Sequence, residues 1–492
     1  MRVVQPQQMQ LGEQDIAAIK INSRSRDDIP KILQGLQHLY TQSTLRNAVF
    51  DLLSTHIKAD KNAHNGRPAM DLWKVLVMGV LRLDLDWDYD QLHEQVNNHK
   101  TIRQMLGHAD PFADDDHYAL QTIKDNVKLL TPELLDKINQ RVVEEGHLLA
   151  KKKASQVLHG RCDSFVVKTH VEYPTDIGLL FDAIRRTIIL TARLHEAYDL
   201  SDWRQYRFNI KQIKKCLRKT QLKKRYQRHS DENIKQQRIR DAHHDYLHQV
   251  QKQLQRARTT LQELNERYEL NTSQKITYLR IEEYMQHADR QINQIERRVL
   301  HGEVIPHDEK VFSIFQPHTE WIVKGKAGVP MELGMRLSIV EDQYQFILHH
   351  QVMEKQTDDQ VAVCLIAQTQ ARFADLKTCS FDKGFHSPKN QVELAKYLDV
   401  AAIPSKGKPS KKVREHEQSA AFQQARHKHA AVESAINALQ VHGLEMCPDH
   451  GIEGLKRYVA LGILARNLHR LGELSMQRQR KHQARLKRRR VA

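Results

Sequence analysis

Along the first third of the chain, apolar residues recur at helical spacing. The stretch "MDLWKVLVMGVLRLDLDWDYDQLHEQV" shows this period, and "TPELLDKINQRVVEEG" opens close to capping-box register, Thr131 to Glu133–Leu134. The pattern predicts a compact all-helical domain over residues 1–150. From residue 179 to residue 301 there is neither glycine nor proline, and Gln, Arg, Lys, Leu and Ile dominate. Such a composition predicts a long helical insertion. As one helix it would extend about 180 Å at 1.5 Å per residue. The polar clusters "YDLSDW", "RHSDEN" and "ELNTSQ" are expected to break it into a bundle or an antiparallel, coiled-coil-like arm.

Beyond residue 301 the period becomes two. Leu333, Met335, Leu337 and Ile339 alternate with other residues in "ELGMRLSIV", "EDQ" reads as a short turn, and Tyr344, Phe346 and Leu348 alternate in "YQFILHH". This is the signature of an antiparallel hairpin. "TDDQVAVCLIAQTQ" follows as a helix with Thr357 and Gln360 in capping-box register. A strand ending at Asp382, a helix from Pro388, a strand "DVAAIP", a lysine-rich loop and a long helix from about Ser419 to Gln440 complete the order. Upstream of the insertion, "CDSFVV" reads as the first strand of the same sheet. The fold class is therefore α/β, a mixed sheet with flanking helices. Its first strand segment lies in 151–178 and the remainder in 302–475, on either side of the 179–301 insertion.

Charge narrows the partners. The 492 residues carry a net charge of +17, with 28% charged residues, which points to polyanions. Nucleic acid leads, with an anionic membrane surface as the alternative. No apolar run approaches the ~18 residues needed to span a bilayer, and "MRVVQPQQMQLGEQD" lacks the apolar stretch of a signal peptide. The five cysteines, 162, 216, 364, 379 and 447, include no CxxC pair, and their odd number fits a reducing, cytoplasmic compartment. The segment "RQRKHQARLKRRR", 478–490, holds eight Lys or Arg in thirteen positions, and 476–492 is expected to be a disordered basic tail that meets phosphates.

Three acids stand at chemically suggestive places. Asp163 lies on the first strand. Asp382 ends a short buried strand just before a glycine turn, with Ser387 and Pro388 as N-cap and first residue of the next helix. Glu433 is the one acid of "QQARHKHAAVESAINALQ". Other candidates have plainer readings. The acids of "ADPFADDDHY", 109–118, are contiguous and read as a solvated loop. Cys447 and His450 have zinc-like spacing without a second pair, so "CPDHG" reads as a turn. Asp176 in "YPTDIG" reads as a helix N-cap. The scattered histidines receive no catalytic role.

The segments "DSFVVKTHVEYPTD", "KGKAGVPMELGMRLSIV", "SFDKGFHSP" and "VESAINALQVHGLEMCPDHGIEGLKRYVALGILARNLHRLG" together resemble DDE-class insertion-sequence transposases, most closely the ISNCY-type group. The resemblance covers nearly the whole chain. It implies a ribonuclease H-like catalytic domain in which the strands bearing Asp163 and Asp382 are neighbours, with Asp163, Asp382 and Glu433 as catalytic triad and metal ligands. It also implies Mg²⁺, with Mn²⁺ as substitute. Asp163 would bridge two ions about 3.5–4 Å apart, and Asp382 and Glu433 would each bind mainly one. The substrate would be double-stranded DNA, both the element's terminal inverted repeats and its target. The N-terminal domain would bind the ends, in a homodimer or larger assembly, in a bacterial cytoplasm and without a membrane partner.

Related transposases often carry tyrosine, arginine, the catalytic glutamate and lysine at fixed separations on the late helix. Counting from Glu433, those positions here hold Arg426, His429 and Gln440. Arg426 and His429, with Lys383, Lys406, Lys408, Lys411 and Lys412, are the candidate DNA contacts. Two rival expectations remain: a transposase-derived regulatory or structural DNA-binding protein with an inactive site, and a stand-alone nuclease of the same fold.

Overall fold

A computed structural model describes residues 3–5, 13–58, 69–109, 117–225, 231–323, 331–408 and 410–491. Most of the acidic cluster 109–118 lies outside them, as do residues 324–330 and the side chain of Lys412.

Among the described residues, a 3₁₀ turn at Ile16–Ala18 is followed by seven α-helices: α1 (Asp28–Thr41), α2 (Ser43–Lys58), α3 (Leu72–Asp84), α4 (Tyr89–Asn98), α5 (Lys100–Met105), α6 (Leu120–Val127) and α7 (Pro132–Leu149). Their starts follow from side chains that satisfy the first free N–H groups. Asp27 accepts from Ile29 N, Asp88 and Gln91 form a reciprocal box, and Thr131 accepts from Leu134 N with Pro132 opening α7.

These helices do not form a core of their own. Leu36, Val77, Leu81, Ile138 and Val142 share one buried cluster with Phe165, Leu337 and Ile339 of the sheet and with Leu461, Leu464 and Leu468 of a late helix. The first compact unit is accordingly Met1–His170 together with Glu320–Ala492, without a boundary at residue 150. The late helix supplies the reason. Its apolar half fills the space between α1, α3 and α7. Backbone meets backbone there: a Cβ on Gly35 would lie 2.1 Å from Leu468 O, and one on Gly472 2.0 Å from Lys31 O. Only glycine permits that approach.

Among the described residues the sheet of this unit has seven strands: β1 (Leu158–Thr169), β2 (Glu320–Val323), β3 (Met331–Glu341), β4 (Ile347–Met353), β5 (Leu376–Phe381), β6 (Val400–Ala402) and β7 (Met446–Cys447). The path is β2-β3-β1-β5-β6, with β4 also on β3 and β7 also on β1. Strands β1, β3 and β4 are antiparallel neighbours, whereas β5 and β7 run parallel to β1, and β6 parallel to β5. The hairpin turn is longer than "EDQ". Asp342 takes the N–H groups of Tyr344 and Phe346 on its carboxylate (2.8 and 3.0 Å), and β4 starts only at Ile347. β2 was not legible in the sequence.

Helices cover both faces. On one, α12 (Asp358–Arg372) packs Val361, Leu365 and Ile366 onto Leu158, Cys162, Val340 and Phe381. After β5 come α13 (Pro388–Leu394), α14 (Lys411–Glu417), α15 (Ala420–His429), α16 (Ala431–Leu439) and the late helix α17 (Ile452–Val491). The expected helix 419–440 is thus two. Its ladder breaks at Ala430, which keeps right-handed helical dihedrals (φ −52°, ψ −23°). The expected disordered tail is also helical, as α17 continues to Val491. No glycine or proline follows Gly472, and Gln, Arg, Lys, Leu and Ala are good helix formers.

The second compact unit is Val171–Thr319, wider at both ends than 179–301. Four helices, α8 (Asp176–Glu196), α9 (Tyr206–Arg225), α10 (Glu232–Arg267) and α11 (Thr272–Ile295) in chain order between β1 and β2, share a core including Ile184, Ile188, Trp203, Tyr246, Leu254, Leu261, Ile281 and Ile292. The helices end around the three polar clusters, and Asn271 with Gln274 caps α11 reciprocally. Asp176 is not the cap of α8. Thr175 accepts from Gly178 N (3.1 Å), while Asp176 pairs with Arg298 (2.7 Å). Among the described residues, no helix is long and apolar enough to cross a membrane.

The first unit should fold without the second. Lys168 of β1 and Glu320 of β2 are both cross-strand partners of Gly334, on its two sides. Two strand spacings, about 10 Å, therefore separate the cut ends. A linker of about four to six Gly/Ser residues spans that distance. Replacing Val171–Thr319 with it is expected to leave a cooperative thermal transition and a mixed α/β circular-dichroism spectrum. An aggregated or non-cooperative product would show that the unit depends on the insertion.

Candidate active site

The parallel register of β1 and β5 creates the site. Cys162 pairs with Phe381, so the next residues, Asp163 and Asp382, leave the paired region side by side, about one strand spacing of 4.8 Å apart at the backbone. Both belong to the same sheet face, because parallel partners in register point alike. Asp382 precedes a single 3₁₀ turn, Lys383–Phe385, with its backbone oxygen, not its carboxylate, accepting from Phe385 N (3.2 Å). The turn is pinned by Phe385, which is fully buried against Phe381 (5.7 Å between rings). Lys406 closes the turn by donating to Gly384 O at 3.0 Å.

Glu433 arrives from above that face. Val432, Ala435 and Leu439 of α16 bury into the cluster containing Phe165 and Ile339, which leaves the neighbouring Glu433 exposed at the strand ends. A fourth carboxylate comes from the opposite face. Asp358 opens α12, where Gln360 accepts from Thr357 N (3.0 Å), and it accepts from Ser164 Oγ at 2.7 Å. Sequence reading identified the cap but missed the acid beside it. Its signal was the "TDD" start of the helix that directly follows the hairpin.

Electrostatics tie the four together. Burial pushes the Asp163 carboxyl up to about 6, and the negative charges of Asp382, Asp358 and Glu433 push the same way. The N–H of Ser164, donating to Asp163 Oδ1 at 2.7 Å, opposes them. None of the four acids forms an ion pair among the described residues.

Arg426 and His429 are oriented differently from the sequence expectation. Arg426 Nη1 donates to Phe381 O (3.0 Å), and the buried His429 ring bonds Ser380 Oγ through Nδ1 (3.0 Å). Both grip the last residues of β5, directly before Asp382, and the His429 ring is not offered to a phosphate. Burial lowers the His429 pKa to about 4, helped by Arg426 and opposed by Asp382, so the ring is neutral at pH 7. Lys383, Lys406, Lys408 and Lys411 are exposed. Cys447 lies buried in β7, its thiol pushed by burial up to about 12, and the following turn is held by Arg82 on both oxygens of Asp449 (2.7 and 3.3 Å).

Two further groups bring one potential ligand atom from each of three residues within 4.8 Å of one another: Asp84, His442 and His469, and Asp136, His349 and His350. Asp163, Asp382 and Glu433 do not all come that close. No family model, curated protein or solved structure matches the chain.

The raised Asp163 pKa fixes a pH dependence. Between pH 3.8, the ordinary value, and about 6, the folded protein binds more protons at this group than the unfolded chain does. Its contribution to stability therefore falls as pH rises through that window and is level above it. Without divalent ions, Asp163→Asn should raise Tm at pH 7.5 and leave it near the parent value at pH 4. Two pKa units set an upper bound of about 3 kcal/mol, reduced by solvent at the half-buried carboxylate. Thermal melts in EDTA at both pH values check this, and a variant less stable at pH 7.5 would contradict it.

Proposed function

We propose that the chain is a DDE-class transposase whose catalytic domain is ribonuclease H-like. It binds the ends of its own mobile element and catalyses metal-dependent DNA cleavage and strand transfer. The observation that carries this reading is the convergence of Asp163 and Asp382 at the ends of two adjacent parallel strands, with Glu433 delivered by the helix packed over them.

The residues fit hard divalent cations. Three carboxylates, with Asp358 as a fourth, concentrate negative charge at one strand junction with no ion-pair partner among the described residues. Magnesium takes oxygen ligands and keeps several waters, so a few carboxylates and a substrate phosphate suffice. Ligands shared between two ions need not all touch, which accommodates the wider spacing of these acids. Asp163, central in the group, would contact both ions, and Asp382 and Glu433 would each hold mainly one. Two bound Mg²⁺ ions supply activation of the attacking hydroxyl and stabilisation of the leaving oxygen.

The protein's own contribution is position. Arg426, His429 and Phe385 fix the end of β5, and Ser164 links Asp163 to Asp358. Lys383, Lys406, Lys408 and Lys411, exposed near the β5 and β6 ends, are suited to DNA phosphates, as is the basic end of α17. Joining two element ends requires at least two copies of the chain. Strand transfer, beyond cleavage, separates this reading from a stand-alone nuclease, and any cleavage separates it from a protein with an inactive site.

Two outcomes follow. With a DNA fragment carrying the element's end and Mg²⁺, Asp382→Ala, Asp163→Ala and Glu433→Ala should each cut at least ~10³-fold more slowly than the parent while binding DNA about equally well, a loss of roughly 4 kcal/mol. Parent-like cutting by Asp382→Ala would remove it from the site. Truncation after Arg478 should weaken binding to all DNA sequences nearly equally and flatten its salt dependence, since each phosphate contact adds about −0.9 to the log–log slope. Selective loss for the cognate end would instead assign sequence reading to the tail.

A further inference from the structure

A second, chemically different centre lies in the helical part of the first unit. Asp84 ends α3, and its carboxylate is fully buried. Both oxygens face His469 Nδ1 of α17, at 3.1 and 3.0 Å. His442 follows α16, with Nδ1 against the backbone oxygen of Asp84 and 4.0 Å from its Oδ1. The two imidazole rings are 5.1 Å apart. On the far side of His469, Nε2 faces Asp28 Oδ1 at 3.8 Å and Glu473 Oε1 at 3.7 Å.

A buried aspartate needs only one imidazole as partner. Here the backbone leaves helical geometry to bring a second one. His442 has φ −93° and ψ 39°, and Gly443 takes φ +94°, a conformation that favours glycine. The turn is held there by Tyr458 O–H donating to Gly443 O at 2.9 Å. The other triad with the same composition behaves differently: both oxygens of Asp136 are taken by Arg372, at 2.6 and 2.5 Å, so a cation already occupies that carboxylate. No guanidinium or ammonium group is paired with Asp84 among the described residues.

We propose that Asp84, His442 and His469 bind one divalent transition-metal ion of the zinc type. Two imidazole nitrogens and one carboxylate oxygen suit zinc, with water as fourth ligand, and differ from the all-oxygen set that magnesium takes. Tetrahedral zinc with bonds of about 2.0–2.2 Å sets its ligand atoms about 3.4 Å apart. The Asp84–His469 contact therefore opens by a few tenths of an ångström, and His442, 4.0 Å from Asp84 Oδ1, closes by roughly half an ångström as its ring turns from the Asp84 backbone oxygen. Asp28 and Glu473, 3.8 and 3.7 Å from His469 Nε2, are too far to accept a hydrogen bond as they stand but lie on the side where a carboxylate orients a metal-bound imidazole. Of the three side chains, His442 lies nearest to solvent, 12% exposed against 3% for His469 and 0% for Asp84. The ion ties the ends of α3 and α16 to α17. Since α16 carries Glu433, the clamp fixes the helix that delivers that acid. This site stands whether or not the carboxylate site acts on DNA.

The test uses the full-length protein stripped with EDTA and titrated with Co²⁺ and then Zn²⁺. The parent is expected to show visible cobalt absorption at one equivalent, its loss on adding zinc, and a zinc-induced rise in Tm of at least about 2 °C. His442→Gln, which keeps a polar side chain of similar size at a position 12% exposed, should fold with parent-like circular dichroism and lose all three responses. His350→Gln and Asp163→Asn should keep them. A parent that binds neither ion, a His442→Gln variant that binds both, or loss of binding in His350→Gln would each overturn the proposal.

Discussion

The pairing of β1 with β5 is the contact on which the rest of the molecule depends. One parallel register, Cys162 opposite Phe381, sets two carboxylates from distant parts of the chain side by side. Like charges at that spacing repel, and burial raises the cost for Asp163. The apolar surroundings bear that cost. Cys162, Cys379, Phe381 and Phe385 are fully buried beneath the acids, and their transfer from water stabilises the pairing. Arg426 and His429 then hold the end of β5 from above. A strained electrostatic junction on a rigid apolar base is what a cation-binding site requires before its cations arrive.

That junction is supported by a core reaching well beyond the sheet. α17 lies between the N-terminal helices and the strands, and its glycine-mediated contact with α1 locks the two ends of the chain together. On the reading proposed, helices expected to form a separate DNA-end-binding domain are continuous with the catalytic core. Forces on them would then be felt at α16 through the turn at His442 and Gly443.

Much of this was legible in the sequence, for physical reasons that differ by element. Period-two alternation in Leu333–Ile339 gave β3, because a half-buried strand must alternate. Absence of glycine and proline pointed to the helices of the insertion, and the polar clusters "RHSDEN" and "ELNTSQ" marked its turns, where the structure places the N-caps Asp231 and Asn271. Element order placed Asp163 on the first strand, Asp382 at the end of a later one and Glu433 on a late helix, but their grouping as one site was what the resemblance implied. What could not be read depended on tertiary contact. Packing of α17 into the N-terminal helices depends on Gly35 and Gly472 meeting, and nothing local announces it. The inward turn of His429 depends on Ser380, and the Asp84–His442–His469 group assembles from three separated segments. The basic tail was misjudged because charge was weighed above helix propensity.

The central claim is that the carboxylates at the β1–β5 junction hold paired divalent cations. Manganese titration of the full-length protein, followed by electron paramagnetic resonance at pH 7.5, addresses it directly. Two ions sharing Asp163 should bind saturably, with line broadening from their mutual coupling, and Asp163→Asn should abolish the coupling while His442→Gln preserves it. Absence of saturable binding, or binding that Asp163→Asn and Asp382→Ala leave unchanged, would contradict the account.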